Sequence, residues 1–141
     1  MLFITFYGGT REVTGSLFLL NTGSDNILMD CGMFQGRRKE AAEKNKVFPF
    51  EPSIISNVVL SHAHIDHSGR LPLLTKKGFK GRIICSRPTA AACEYLLPDS
   101  AHIQESDANY LNYKQVRNTL AAMKKSKKAK NISGSRLREI K

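Results

Sequence analysis

Apolar residues in this chain fall into short runs separated by glycine, proline and polar turns. Five of these runs have strand length, and the first also mixes β-branched and aromatic residues: LFITFYG, SLFLLNTG, NILMDCG, SNVVLS and GRIICS. The connection TGSD between the second and third runs is typical of a hairpin. The pattern predicts a group of strands followed by strands that alternate with helices, which is an α/β arrangement.

Helix-forming stretches lie between and after the later strands. The polar run GRRKEAAEKNK predicts one helix, and RLPLLTKKGF predicts a short one that Gly78 terminates. Pro88 predicts the start of a further helix, because proline suits a first helical turn. Pro98 is expected to end that helix, and Asp99 or Ser100 to cap a second long one, SAHIQESDANYLNYKQVRNTLAAM.

Charge divides the chain into two parts. Residues 1–122 carry 14 Lys/Arg against 11 Asp/Glu, whereas residues 123–141 carry 8 against one, within a total net charge of +10. We therefore expect a folded part over 1–122 and a basic, flexible tail over 123–141. Such a tail attracts phosphate backbones without reading their sequence, although a merely solvated end has the same composition.

Three cysteines, Cys31, Cys85 and Cys93, form no CxxC pair and cannot all pair with one another. This favours free thiols and a reducing, cytoplasmic setting. No apolar run of about 18 residues occurs, so no membrane span is expected, and the amino-terminal residues do not have the pattern of a signal peptide.

Three of the four histidines lie in the stretch SHAHIDHSGRLP, directly after a predicted buried strand. His62 and His64 are two residues apart, so in an extended loop their side chains point the same way and can bind one ion. Asp66 and His67 are offset enough to serve a second ion. Imidazole and carboxylate groups suit zinc, and also manganese or iron.

This stretch resembles the HxHxDH motif of the metallo-β-lactamase superfamily. FYGGTREVTGSLFLL, ILMDCGMFQG and LLPDSAHIQESDANYLN resemble segments of its RNA-processing β-CASP branch, in the same order, so the likeness covers residues 1–113. The resemblance implies an α/β fold corresponding to the amino-terminal half of an αββα sandwich. It also implies a hydrolase that cleaves RNA phosphodiesters with a hydroxide activated by two zinc ions in complete members of the family. For this chain, which matches only part of such a member, we expect one ion or partial occupancy and no full activity of the chain alone.

The resemblance also assigns roles to individual residues. His62, His64, Asp66 and His67 correspond to metal ligands, and Asp66 also lies where it could handle a proton. Asp30 corresponds to a residue that orients a ligand histidine and so supports catalysis.

A loop beside the site is implied as well. Its residues are Gly8, Gly9 and Thr14 to Ser16, and the same residues could form only a turn.

Several family segments have no counterpart here. The sequence contains no Gly-His-x-Leu-Gly or Thr-Gly-Asp segment, and the remaining histidine, His102, lies in a helical stretch that predicts a packing or site-proximal role. The pattern is expected of a truncated or frame-shifted gene, or of a genuine short protein. Half a sandwich would expose one apolar face of its sheet, so we expect a complementing chain or a homo-oligomer to cover it.

Two alternatives to an RNA-cleaving hydrolase remain at this level. One is a non-catalytic half-domain that binds RNA through its basic tail or completes a partner chain. The other is a different hydrolase of the same superfamily that acts on a thioester or a lactam. The resemblance of Asp30 and of the DSAHIQE segment to the nucleolytic branch favours RNA over the latter.

Overall fold

The computed structural model of the protein describes the backbone of residues 1–136 and the side chains of residues 1–124. Its centre is one mixed five-stranded sheet whose strands follow chain order. The strands are β1 Phe3–Gly8, β2 Leu17–Asn21, β3 Asn26–Met29, β4 Asn57–Val59 and β5 Arg82–Ile84. All five lie within predicted strands, so the expected α/β class is confirmed.

Helices occupy the connections and the carboxyl-terminal part of the described chain. They are α1 Arg38–Lys46, α2 Ile65–Ser68, α3 Leu71–Lys76 and α4 Arg87–Arg136, with a 3₁₀ turn at Pro52–Ile54. Met1–Ala101 forms one compact unit, and a second unit begins at His102. Among the described residues, no helix is long and apolar enough to cross a membrane.

The strand pairing changes from antiparallel to parallel at β3, and this change places the candidate site residues. Strands β1, β2 and β3 are antiparallel neighbours, whereas β3, β4 and β5 run parallel. Parallel neighbours need crossover connections, and α1 supplies the first while α2 and α3 supply the second. The carboxyl ends of β3 and β4 therefore meet at one edge of the sheet, where Asp30 and Ser61 follow them.

The hydrophobic core lies on one face of the sheet. Leu19, Leu28 and Val58 are aligned neighbours on β2, β3 and β4 and are 7%, 0% and 0% exposed. Leu71 and Leu74 of α3 belong to the same buried cluster. Burial of each such side chain contributes about 1.5–3 kcal/mol, so this face and α3 together hold the parallel strands in place.

The opposite face carries a second apolar row that is open to solvent. Phe6, Phe18, Met29, Val59 and Ile84 are aligned across all five strands. Four of them are largely exposed, Phe6 at 62%, Met29 at 40%, Val59 at 41% and Ile84 at 52%. Within the described part of the chain, this open sheet face is the apolar surface that half of a sandwich was expected to present.

The predicted break at Pro98 is wrong, because α4 continues through that residue. Proline removes one backbone donor from a helix, here the N–H that would bond the carbonyl of Glu94, but the turns on either side retain theirs. Asp99 and Ser100 therefore lie inside a helix and do not cap one. The predicted basic tail, 123–141, lies largely outside the residues whose side chains are described.

Candidate metal centre

The predicted cluster lies where three connections of the first unit meet. The backbone N–H of Ser16 donates to the carbonyl of Asp66 at 2.9 Å, and that of Cys31 donates to the carbonyl of His67 at 2.7 Å. The backbone N–H of Asp30 donates to the carbonyl of Val59 at 3.0 Å. The loops after β1, β3 and β4 are thus bonded to one another at the carboxyl end of the parallel strands.

Glycine is required where two of these loops cross. A Cβ atom on Gly32 would lie 1.6 Å from the carbonyl oxygen of Asp66, which is far inside any allowed contact. A Cβ on Gly8 would similarly lie 2.1 Å from the carbonyl oxygen of Gly15. The glycines in the opening loop and in ILMDCGMFQG therefore permit the close approach of backbone segments around the cluster.

Asp30 is the most heavily bonded side chain of the site. It is 6% exposed and adopts a left-handed conformation, with φ 59°. Its Oδ1 accepts the backbone N–H of Ser61 at 2.8 Å. Its Oδ2 accepts the hydroxyl of Ser61 at 2.9 Å and that of Ser16 at 3.1 Å, and lies 2.8 Å from Nδ1 of His67. Four groups therefore hold one carboxylate in place, and it in turn holds the ring of His67.

The histidine and aspartate side chains converge as two pairs. Nε2 of His62 lies 3.1 Å from Nδ1 of His64, and Nε2 of His67 lies 3.6 Å from Oδ2 of Asp66. The rings of His62 and His67 are close together, with centroids 4.0 Å apart, so the two pairs adjoin. His62 and His64 lie in the loop after β4, whereas Asp66 and His67 lie on α2.

The spacing within each pair can be compared with the geometry of zinc. Two ligand atoms at 2.0–2.1 Å from one tetrahedral zinc ion lie roughly 3.3 Å apart. The His62–His64 separation of 3.1 Å and the Asp66–His67 separation of 3.6 Å both lie near this value. In the part of the chain that is described, no three or more His, Cys, Asp or Glu side chains form a group that could hold one ion. The donors are of kinds that zinc binds, and the separation within each pair is close to that of two zinc ligands.

Other predicted residues lie around or apart from this cluster. Cys31 is buried, Cys85 and Cys93 are half-buried, and all three are free, as expected. Burial raises the pKa of Cys31 to about 12, and the neighbouring Asp30 adds to the increase while Arg70 opposes it. His102 is exposed on α4 in the second unit, and its role stays a prediction.

Sequence reasoning missed one residue of the site, Ser61, and one buried residue near it in the chain, Arg70. Ser61 bonds both Asp30 and the histidines, and the only signal for it was its position directly before HAHIDH. Arg70 is 2% exposed. Its guanidinium donates to the carbonyls of Lys44 at 3.1 Å and Val47 at 3.5 Å. Its Cζ lies 4.2 Å from the centroid of the Phe48 ring. Burial lowers the pKa of Arg70. Nothing in the pattern of the sequence marks it as a buried residue.

Comparison with known proteins finds relatives that match most of this chain. A ribonuclease of Thermus thermophilus, TTHA0252, is 43% identical over 99 residues, which are 70% of this chain and 22% of that protein. The transcription termination factor FttA of Methanosarcina mazei is 34% identical over 113 residues, 78% of this chain and 17% of that protein. Integrator complex subunit 11 of Danio rerio is 29% identical over 130 residues, 83% of this chain and 21% of that protein.

This chain therefore spans about a fifth of the length of the curated relatives it matches. Among solved structures, a Cronobacter sakazakii metallo-beta-lactamase described as a HARLDQ motif mutant is similar over 62% of this chain and 32% of that one, with a TM-score of 0.46 and 24% identity. The sequence profile of the Metallo-beta-lactamase superfamily matches residues 10–111, most of the chain. The chain belongs to the metallo-β-lactamase superfamily.

Proposed function

We propose that this chain is the zinc-binding part of an RNA phosphodiesterase of the β-CASP branch. The observation that carries the proposal is the convergence of two donor pairs, His62 with His64 and Asp66 with His67, on adjoining positions at one edge of the sheet. Membership in the metallo-β-lactamase superfamily and the similarity to a ribonuclease and to transcription termination factors support RNA as the substrate class.

Each pair has a distinct part in this proposal. His62 and His64 would hold one zinc ion through Nε2 and Nδ1, and Asp66 and His67 would hold a second. Zinc, when bound, supplies Lewis-acid chemistry, because it lowers the pKa of a coordinated water to about 7 and stabilises negative charge on a phosphodiester. Asp66 would also handle a proton at the site, because its Oδ2 lies within the cluster, 3.6 Å from Nε2 of His67. Asp30 is buried and fully bonded, so its part is to fix the ring of His67.

The charge distribution supports a polyanionic substrate. The chain carries a net charge of +10, of which most lies in the Lys-rich stretch 123–141. Lysines there would add affinity for phosphate groups without selecting a sequence. The three unpaired cysteines support a cytoplasmic setting, where thiols stay reduced.

Zinc binding by the purified full chain tests the proposal directly. We expect wild-type chain to retain zinc after dialysis and the double variant His62→Ala/His64→Ala to lose at least half of it, measured by atomic emission. His102→Ala is the matched control, because it removes a histidine from the same chain outside the cluster. Equal zinc content in wild type and double variant, or none in either, would contradict the proposal.

The open sheet face favours a second candidate, a half-domain that is completed by another polypeptide. Phe6, Met29, Val59 and Ile84 form an apolar row of a kind that proteins seldom leave in water. We propose that a complementing chain, or a second copy of this chain, covers this row.

A half-domain without catalytic activity of its own would bind RNA through charge alone. In that case RNA affinity should survive the His62→Ala/His64→Ala change and fall steeply when residues 123–141 are deleted or the salt concentration is raised. Affinity that depends on the histidines and not on residues 123–141 would count against this second candidate.

A further inference from the structure

Ser61 lies at the intersection of the hydrogen bonds that connect the buried carboxylate to the two donor pairs. Its hydroxyl lies 2.9 Å from Oδ2 of Asp30, 3.0 Å from Nδ1 of His62 and 3.4 Å from Nδ1 of His67. Its backbone N–H is bonded to the other carboxylate oxygen at 2.8 Å. Both the backbone and the side chain of Ser61 are therefore hydrogen-bonded to the carboxylate of Asp30.

Counting donors and acceptors assigns the protons of this group. A hydroxyl has one hydrogen, and the ionised carboxylate of Asp30 can only accept. The hydrogen of Ser61 therefore points to Asp30, and the oxygen of Ser61 is left as an acceptor for His62. The group at Nδ1 of His62 must then be an N–H donor, which leaves the lone pair of that ring on Nε2.

We propose that Ser61 is a positioning residue that connects Asp30 to His62 and fixes His62 as the Nδ1–H tautomer. In a neutral imidazole, the hydrogen bond made by one nitrogen decides which nitrogen remains free for a metal ion. The free nitrogen is here Nε2, the atom that lies 3.1 Å from Nδ1 of His64. The relevance of this tautomer to zinc rests on the proposed function, whereas the tautomer itself does not.

The carboxylate of Asp30 also fixes the orientation of His67, by direct contact. Nδ1 of His67 lies 2.8 Å from Oδ2 of Asp30, so His67 donates there and its Nε2 faces Asp66. One buried aspartate thus orients one histidine in each donor pair, His67 directly and His62 through the serine hydroxyl. Loss of the hydroxyl should release His62 and leave His67 in place, which separates the role of Ser61 from that of Asp30.

The test reads the tautomers in the metal-free full chain by long-range proton–nitrogen NMR of the imidazole rings. We expect wild-type His62 to show an Nδ1–H signature and Ser61→Ala to show mixed tautomers for His62 with His67 unchanged. Ser61→Thr retains a hydroxyl and should restore the wild-type signature. Ser16→Ala is the matched control, because Ser16 donates to the same Asp30 oxygen at 3.1 Å and no hydrogen bond is found from it to a histidine.

Zinc affinity, measured by competition with a chelator, is the second readout. Ser61→Ala should weaken zinc binding about 10- to 100-fold, and Ser61→Thr should restore it. An Nε2–H signature for His62 in the wild-type chain, or an unchanged signature in a folded Ser61→Ala variant, would overturn the inference. The wild-type spectrum alone decides the matter if Ser61→Ala does not fold. Absence of zinc binding by a wild-type chain with the expected tautomer would instead count against the proposed function.

Discussion

At the scale of single residues, the site is organised around a buried carboxylate, that of Asp30. Asp30 is buried and accepts hydrogen bonds from two serines and a histidine. Hydrogen bonds to a charged group typically contribute about 1.5–3 kcal/mol each, so these contacts offset the cost of burying the carboxylate and of its left-handed backbone. Such a group keeps neighbouring rings in fixed orientations before any ligand arrives.

The neighbour of Asp30 gives the protein a predicted sensitivity to alkaline pH. Burial raises the pKa of Cys31 from 9.0 to about 12. The unfolded thiol therefore ionises above pH 9 while the folded thiol stays protonated. Its contribution to stability is fully present below pH 9 and is lost as the pH rises toward 12, by about 1.4 kcal/mol per pH unit.

Urea unfolding of wild type and Cys31→Ala between pH 8 and about 11 measures this effect. Lysine and tyrosine titrations occur in both proteins, so the difference between their free energies of unfolding isolates the thiol. We expect the wild-type curve to fall more steeply than that of Cys31→Ala above pH 9. Cys85→Ala serves as the control for a half-buried thiol. Parallel curves for wild type and Cys31→Ala would contradict the assignment.

At the scale of secondary-structure elements, Arg70 connects the segment after α2 to the end of α1. Its guanidinium donates to the carbonyls of Lys44 and Val47, where helix α1 ends, and stacks between the rings of Phe34 and Phe48. The last carbonyls of a helix lack partners within it, so a buried cation there can act as their hydrogen-bond donor. Its positive charge also interacts favourably with the negative end of the helix dipole.

Replacement of Arg70 by lysine should therefore destabilise the protein although the charge is kept. A lysine ammonium cannot reach both carbonyls and stack between two rings at once. We expect Arg70→Lys to lower the free energy of unfolding by about 2 kcal/mol in urea titrations. Arg82→Lys, at an exposed position of β5, is the matched control and should change it little. Equal effects of the two changes would show that the buried contacts do not matter.

Substitution of Pro98 tests whether helix α4 is continuous through that residue. Pro98 lies inside α4, so alanine there would restore a donor to the carbonyl of Glu94. We expect Pro98→Ala to raise the free energy of unfolding by about 1–3 kcal/mol and to increase the helical circular dichroism signal. Pro88→Ala is the control, because an N–H in the first turn has no partner within the helix. If two separate helices met at Pro98, both changes would have small effects.

At the scale of the whole molecule, the sheet of the first unit has one packed face and one open face. Val58 and Val59 are adjacent on β4 and point to opposite faces, with exposures of 0% and 41%. Successive residues of a strand point to opposite faces of the sheet. Val58 and Val59 therefore place the same side chain in a buried and in an exposed environment.

The same substitution at these two positions should give opposite results. Val58→Thr should lower the free energy of unfolding by about 1–3 kcal/mol, because it buries a hydroxyl without a partner. Val59→Thr should leave stability nearly unchanged while it reduces binding of a hydrophobic dye and self-association in sedimentation experiments. A loss of stability at Val59 equal to that at Val58 would show that the second face is already covered.

The sequence by itself determined the features that depend on neighbours along the chain. Short apolar runs bounded by turn residues predicted all five strands, and the two-residue spacing of His62 and His64 placed both on one side of a loop. The motif segments also indicated the superfamily, because their order and spacing reflect a particular fold. Pro98 misled the prediction, since local propensity overstates the effect of one lost hydrogen bond within a long helix.

Only the tertiary structure decided the contacts between distant segments. Ser61 meets Asp30 across 31 positions of the chain, and Arg70 meets Lys44 across 26. No local pattern encodes these contacts, because they arise when parallel strands bring their carboxyl ends to one edge and the crossover connections fold back over it. The resemblance implied that Asp30 orients a histidine, but which ring it contacts directly and which it reaches through Ser61 followed from packing alone.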